Sequence, residues 1–157
     1  MTLLALHLAL ALLWAMSTGS LNLPNLLFGF FVAGGVLHFA GPALGDARYA
    51  VRVAKVVSLG LFFLRELLVS SVRVAIDVLR PELTMTPAVI AVPLDLHSDA
   101  QVTLLANLIS LTPGTLSIDV ATDRSCLYVH AMYGHDPEAV RRQIKHDFER
   151  RILGVFR

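Results

Sequence analysis

The hydrophobic and polar positions of this chain divide it into three parts. Residues 1–45 contain no Asp, Glu, Lys or Arg. Within them, residues 1–16 (MTLLALHLALALLWAM) are continuously apolar apart from His7, and residues 25–43 (NLLFGFFVAGGVLHFAGPA) form a second apolar run. A membrane-spanning helix needs about 20 such residues, so the first run is slightly short and the second sufficient. A cleaved signal peptide opens on a positive n-region, whereas here no Lys or Arg precedes Arg48; the first run is expected to be a retained helix. Trp14 suits a membrane–water interface. Ser17 to Pro24 is an uncharged turn, with Pro24 placed for the first turn of the next helix. Gly29, Gly34, Gly35 and Gly41 are small positions that let another helix approach closely. The expectation for residues 1–45 is a transmembrane hairpin of two helices.

Residues 46–80 read as one long amphipathic helix. At about 100° per residue, Arg48, Arg52, Lys55, Glu66, Arg73, Asp77 and Arg80 fall within roughly 40° of one line, and Arg65 stands off it. A long apolar helix with a single charged seam is expected to lie in a membrane surface, apolar side down. The alternative is a third span whose seam packs on other protein. Arg48, Arg52 and Lys55 follow the second span closely, which by the positive-inside rule makes that end cytoplasmic. Crossing again would bury Arg65 and Glu66 at about 2.5–3.5 kcal/mol per charged group and export everything after Arg80. Val56 to Leu64 carries no charge, and Leu59 and Phe62 interrupt the seam; that part is expected to dip into lipid or pack on a partner protein.

Residues 81–157 change character. Arg80-Pro81 stops the long helix. Pro87 and Pro93 bracket a β-branched run, Ala88 to Val92, that predicts a strand. Ser98 and Gln101 form a capping box for a helix over Asp99 to Ser110. Thr112-Pro113-Gly114-Thr115 is a turn. Leu116 to Val120 alternates strictly and predicts a half-buried strand with Asp119 on its polar side. Thr122 to Ser125 turns the chain into a hairpin partner, Cys126 to Met132. Asp136-Pro137 opens a last helix, where Val140, Ile144, Phe148 and Ile152 share a face and Gly154 closes it. The order is β-α-β-β-α, expected to form a mixed three-stranded sheet with helices on one face. This is part of a ferredoxin-like unit lacking its last strand. The fold class is therefore membrane α+β.

Composition agrees with a membrane protein: 55% of the 157 residues are hydrophobic and 16% charged, against about 25% charged in ordinary globular chains. Residues 46–80 hold six basic and three acidic side chains, residues 81–157 seven and nine. No concentrated basic surface of the kind nucleic acid requires is present. One cysteine, Cys126, excludes an internal disulfide and a cysteine-based metal cage.

The polar candidates for chemistry have structural readings. Asp119 and Asp123 are read as solvated. Cys126 and His130 share a strand face but lie roughly 13 Å apart, beyond hydrogen-bonding reach. His135-Asp136 is read as loop and cap. His7 and His38 are read as facing neighbouring protein or headgroups rather than as proton relays. Arg141, Arg142, Lys145, Arg150, Arg151 and Arg157 form a basic end, either a solvated face or a contact for anionic headgroups. No catalytic, cofactor-binding or metal-ligating set is expected.

Asn107 to Val120 (NLISLTPGTLSIDV), followed by the Leu127–Ala131 strand, closely resembles the signature of the E component of the multisubunit Mrp-type (Mnh, Pha) cation/proton antiporters. Ala106-Asn107, Thr112-Pro113-Gly114-Thr115 and Asp119-Val120 carry the match, and the similarity covers the whole chain. The resemblance implies a bacterial inner-membrane assembly exchanging Na⁺, or K⁺ in some members, for H⁺, in which the large subunits carry the ion and this one is accessory. The implied partners are the other antiporter subunits and the lipid bilayer; the C-terminal domain is expected in the cytoplasm. Asn107 is expected to bond backbone at the helix–turn junction. Two other classes compete: a self-contained small carrier, and a membrane-tethered ligand-sensing module.

Overall fold

The computed structural model describes residues 3–44, 48–81 and 85–156. The chain forms two compact units, Met1–Ala54 and Lys55–Arg157.

In the first unit, α1 (Leu3–Ser17) and α2 (Leu23–Ala40) pack against each other. Gly29 lies beside Ala11 and Trp14 and Gly34 beside His7, so the two helices run antiparallel. The Asn22 side chain caps α2 by accepting from the Asn25 N–H, and Pro24 sits in the first turn. Asn25 then closes the connection: its Oδ1 accepts from Trp14 Nε1 at 3.2 Å, and its Nδ2 donates to Thr18 and to the Ser20 carbonyl. Trp14 is thus tied to the turn. A Cβ on Gly29 would stand 2.8 Å from the Ala11 carbonyl oxygen, so glycine is required at that crossing. Gly35 has open space around its Cα, so the same need does not extend along the helix. At 18 residues α2 is long and apolar enough to cross a membrane; α1 is apolar but shorter.

The long helix α3 (Tyr49–Leu79) runs for 31 residues. From Lys55 on it belongs to the second unit, with β1 (Ala88–Pro93), α4 (Asp99–Leu111), β2 (Thr115–Val120), β3 (Cys126–Ala131), α5 (Pro137–Gln143) and α6 (Arg150–Phe156). The capping box of Ser98 and Gln101 starts α4 as the sequence predicts.

The sheet is antiparallel in every pairing, not mixed. Its order is β1-β3-β2, because the hairpin strand β3 inserts between the two strands that α4 connects. The alternation of β2 also resolves opposite to expectation. Thr115, Ser117 and Val120 turn inward, while Leu116 and Ile118 are exposed, and the register shifts between Ser117 and Asp119. Two serines explain this. Ser117 Oγ donates to the Ala106 carbonyl and its N–H to Ser110 Oγ, which lets α4 lie close on β2. Asp119 is solvent-exposed as predicted.

The core joins Ile90, Val92, Leu105, Ile109, Leu127 and Val129 to Ile144, Phe148 and Ile152. These last three come from a C-terminal helix that is not uniform. Between α5 and α6, Ile144–Glu149 is a π-helical turn. Steps of four residues overshoot an α-helical turn by about 40°. The wider turn returns part of that rotation and keeps Ile144, Phe148 and Ile152 all buried. It also carries Glu149 inside. Gly154 does not close the helix; α6 runs on to Phe156, with Gly154 against the Lys55 side chain. Arg157 lies outside the described residues.

Candidate functional site

The family-like motif forms the end of α4 and the start of β2. Pro113 ends the helix, and Gly114 takes φ +91°, a conformation glycine adopts without strain. The orphan carbonyls of α4 are met by threonines. Thr112 Oγ1 donates to Leu108 O at 2.8 Å, and Thr115 Oγ1 to Ile109 O at 2.7 Å. The Gly114 carbonyl accepts from Met132 N–H, locking the turn to β3. Asn107 is exposed, and the junction is bonded by Ser110, Thr112 and Thr115 rather than by it.

Tyr133 extends this turn to α3. Its ring stacks beside Gly114, where an added Cβ would meet it at 3.4 Å. Its hydroxyl donates to the Asp77 carboxylate, and the Arg73 guanidinium stands 5.6 Å from its ring centre. Asp77 is buried and also pairs with Arg80 at 3.5 Å. The hydrogen bond to Asp77, then burial, then the Asp77 charge raise the Tyr133 pKa, so the phenol stays a donor.

Within the second unit, the seam side of α3 meets its own domain at Leu59, Phe62 and Asp77. Leu59 is buried in the core, and Phe62 meets Phe148 edge to face with the Arg151 guanidinium 4.3 Å above its ring. These are the residues that interrupt the seam, and the domain beneath α3 is what they fill. Arg65, off the seam, donates back to Glu66 at 2.6 Å. On the opposite side Val57, Leu61, Leu64, Leu68 and Val72 are exposed, roughly half a turn from the seam. Arg48, Arg52, Lys55, Arg73 and Arg80 are all exposed residues.

Glu66, Ser70 and Arg73, the turn residues Thr112, Pro113, Gly114 and Thr115, and Tyr133 border a cavity of about 160 Å³. Its hydroxyls are already committed: Ser70 to the Glu66 carbonyl, Thr112 and Thr115 to α4. It offers few convergent free groups to a ligand.

Two further polar nodes have partners that were not legible in the sequence. Glu149 is buried and accepts from Asp95 N–H and from Lys145 Nζ, each at 2.5 Å; Lys145 also reaches Asp95 at 2.7 Å. Burial lowers the Lys145 pKa, but the bonds to Asp95 and Glu149 outweigh it and the net shift is upward. In the first unit, His7 is fully buried. Its Nε2 lies 2.8 Å from the Phe30 carbonyl and its Nδ1 2.8 Å from the Tyr49 hydroxyl. A carbonyl only accepts, so Nε2 carries the hydrogen, and in the neutral imidazole Nδ1 then accepts from Tyr49. His7 faces neighbouring protein with both nitrogens used. His38 is exposed beside Phe39. Cys126 and His130 share the outer face of β3 with Tyr128, and no group of three or more His, Cys, Asp or Glu gathers among the described residues.

Known proteins are similar to this chain over most of its length. A family model described as an Na⁺/H⁺ ion antiporter subunit matches residues 7–155. The chain is 35% identical to the E component of the Na⁺/H⁺ antiporter of Alkalihalophilus pseudofirmus, covering 96% of this chain and 95% of that one. It is 32% identical to the E component of the Na⁺/H⁺ antiporter of Bacillus subtilis, covering 97% and 96%. A chain in the structure of the Mrp complex from Dietzia sp. superposes with a TM-score of 0.50 at 30% identity, over 65% of this chain and 96% of that one. A chain of the archaeal membrane-bound sulfane sulfur reductase shares the fold, with a TM-score of 0.59 at 23% identity over 98% of both. The chain belongs to the family of Na⁺/H⁺ antiporter E components.

Proposed function

We propose that this chain is an accessory subunit of a multisubunit monovalent cation/proton antiporter, supporting assembly and stability of the complex rather than carrying the ion. One observation carries the second half of that reading. The two apolar helices contain no Asp, Glu, Lys or Arg, and His7, the buried titratable group between them, spends both nitrogens on Phe30 and Tyr49. An ion pathway needs ionisable or polar groups open to it. Here the available ones hold helices together.

The two faces of α3 support the topology. On the seam side Leu59 and Phe62 pack into its own domain, and its opposite side is bare Val and Leu, the arrangement of a helix lying in a membrane surface. On this reading α1 and α2 cross the inner membrane, and α3 and the C-terminal domain stay on the cytoplasmic side. The domain is a ferredoxin-like unit short of one strand, with β3 between β1 and β2.

Purification in mild detergent tests the assembly role: the chain is expected to co-migrate with several large, many-spanning proteins. Antiport in vesicles is expected to fall when this chain alone is deleted, with loss of intact complex. His7→Gln is expected to keep antiport per assembled complex; a complex that assembles normally yet is inactive would overturn the accessory reading. A Thr122→Cys thiol in a Cys126→Ser chain is expected to resist impermeant reagents added from the periplasm.

A further inference from the structure

The outer face of the three-stranded sheet carries apolar side chains that stay exposed among the described residues. Val89, Leu116, Ile118 and Tyr128 are 62%, 53%, 52% and 40% exposed. The register sets Val89 and Leu116 on either side of His130 and Ala91 and Asp119 on either side of Tyr128, with Ile118 at the register shift between Ser117 and Asp119. A sheet face open to water is normally polar, and a contiguous apolar patch marks an interaction site. The chain's own long helix does not cover it, since Leu59 and Phe62 enter the core with the inward residues Ile90, Val92 and Val129.

The sheet edges are closed to an added strand. Arg141 Nε and Lys145 Nζ donate to the Ala91 and Pro93 carbonyls of β1. On β2 the Ser117 N–H goes to Ser110 and the Val120 N–H to Asp119. A partner must lie on the face rather than extend the sheet. The charge at one end of that face is negative. Asp119 and Asp123 have no cationic partner among the described residues, and Arg124 is paired with Asp99 at 2.8 Å. The Ser125 backbone N–H holds the Asp123 carboxyl below the usual range, so it stays ionised. Anionic headgroups attract Lys and Arg and are repelled here.

We propose that this face is the docking surface for a protein segment with an apolar stripe flanked by Lys or Arg, contributed by another subunit of the antiporter. Tyr128, on the central strand, is its aromatic anchor. The assignment rests on the accessory-subunit reading and adds the surface and the chemistry of the partner.

The test uses full-length chain in the native complex. With Cys126→Ser as background, Ile118→Cys is labelled with a maleimide in the intact complex and in the chain released from it. Labelling is expected to be at least about tenfold slower in the complex, as burial at an interface requires. Asp119→Lys with Asp123→Lys is expected to weaken co-purification by about tenfold or more through like-charge contact. Equal labelling of the complex and the released chain overturns the proposal, as does unchanged co-purification of the charge-reversed chain. Protection of the introduced thiol in phosphatidylglycerol vesicles holding this chain alone assigns the face to lipid and overturns it too. An Ile118→Cys disulfide between two copies, formed within the native complex, assigns the face to self-association with the same effect. Failure of the unaltered chain to co-purify with any large subunit overturns the accessory reading itself, and is distinguished by that control.

Discussion

Tyr133 donates its phenolic hydrogen to Asp77 across 56 positions of sequence. That bond ties the residue beside the Thr-Pro-Gly-Thr turn to the buried carboxylate of α3. Removing only the hydroxyl, with Tyr133→Phe, leaves Asp77 to the more distant Arg80 alone. A buried acceptor deprived of its donor costs about 1–3 kcal/mol. Thermal unfolding of the detergent-solubilised chain is expected to shift down accordingly, and Asp77→Asn, which can still accept, is expected to lose less. Equal stability of Tyr133→Phe and the native chain would sink the assignment of this bond.

Gly114→Ala tests the turn itself. A side chain at φ +91° is strained, and its Cβ would press on the Tyr133 ring at 3.4 Å. The expected loss is about 1–2 kcal/mol or more. Gly35→Ala, where an added Cβ meets nothing within 4 Å, is the control and is expected to be neutral or slightly stabilising in α2. The comparison is read from unfolding midpoints of the two variants.

These residues show where the sequence was readable. The long helix, the capping box, the Pro-Gly turn and the Asp136 cap are local patterns, and the structure holds each of them. What Leu59 and Phe62 were for was not readable, because a residue on the wrong side of a helix says nothing about which body fills it. Strand β2 misleads for a related reason: Leu116 and Ile118 mark an apolar face, but only the Ser117 bonds to α4 decide which face is inside. Glu149 carries no local mark of burial in the sequence. Only the π-turn brings it inward, and that turn follows from packing of Ile144, Phe148 and Ile152 rather than from any helix-breaking residue. Within the site, the motif was legible and its partner Asp77 was visible only as one charge in a seam.

Alkaline pH should weaken the second unit. The folded Lys145 pKa is raised, so its contribution is fully present below the unfolded value of about 10.4 and is lost as pH rises through the folded one. Tyr133, also raised, titrates in the same direction. Stability measured by chemical denaturation is expected to be flat from these groups near neutrality and to fall above about pH 10. Lys145→Met is expected to remove part of that alkaline slope, and Tyr133→Phe another part. A slope unchanged in both variants would remove these two groups as its source.

Leu59 and Leu61, two positions apart on α3, make opposite predictions. Leu59 is 8% exposed inside the domain core, whereas Leu61 is 64% exposed on the bare side. Leu59→Ala is expected to destabilise the C-terminal unit by about 2–5 kcal/mol, the cost of a cavity. Leu61→Ala is expected to leave folding within about 0.5 kcal/mol. Charge reverses the ranking in a bilayer. Leu61→Glu with Leu64→Glu places two carboxylates where the proposed membrane surface lies, and repulsion from anionic headgroups adds to lost apolar burial. Fluorescence quenching by lipid-borne quenchers, read from a probe on α3 in vesicles, is then expected to drop while the domain stays folded. If the quenching is unaltered, the bare side of α3 is not against lipid, and a helix of another subunit is the alternative cover.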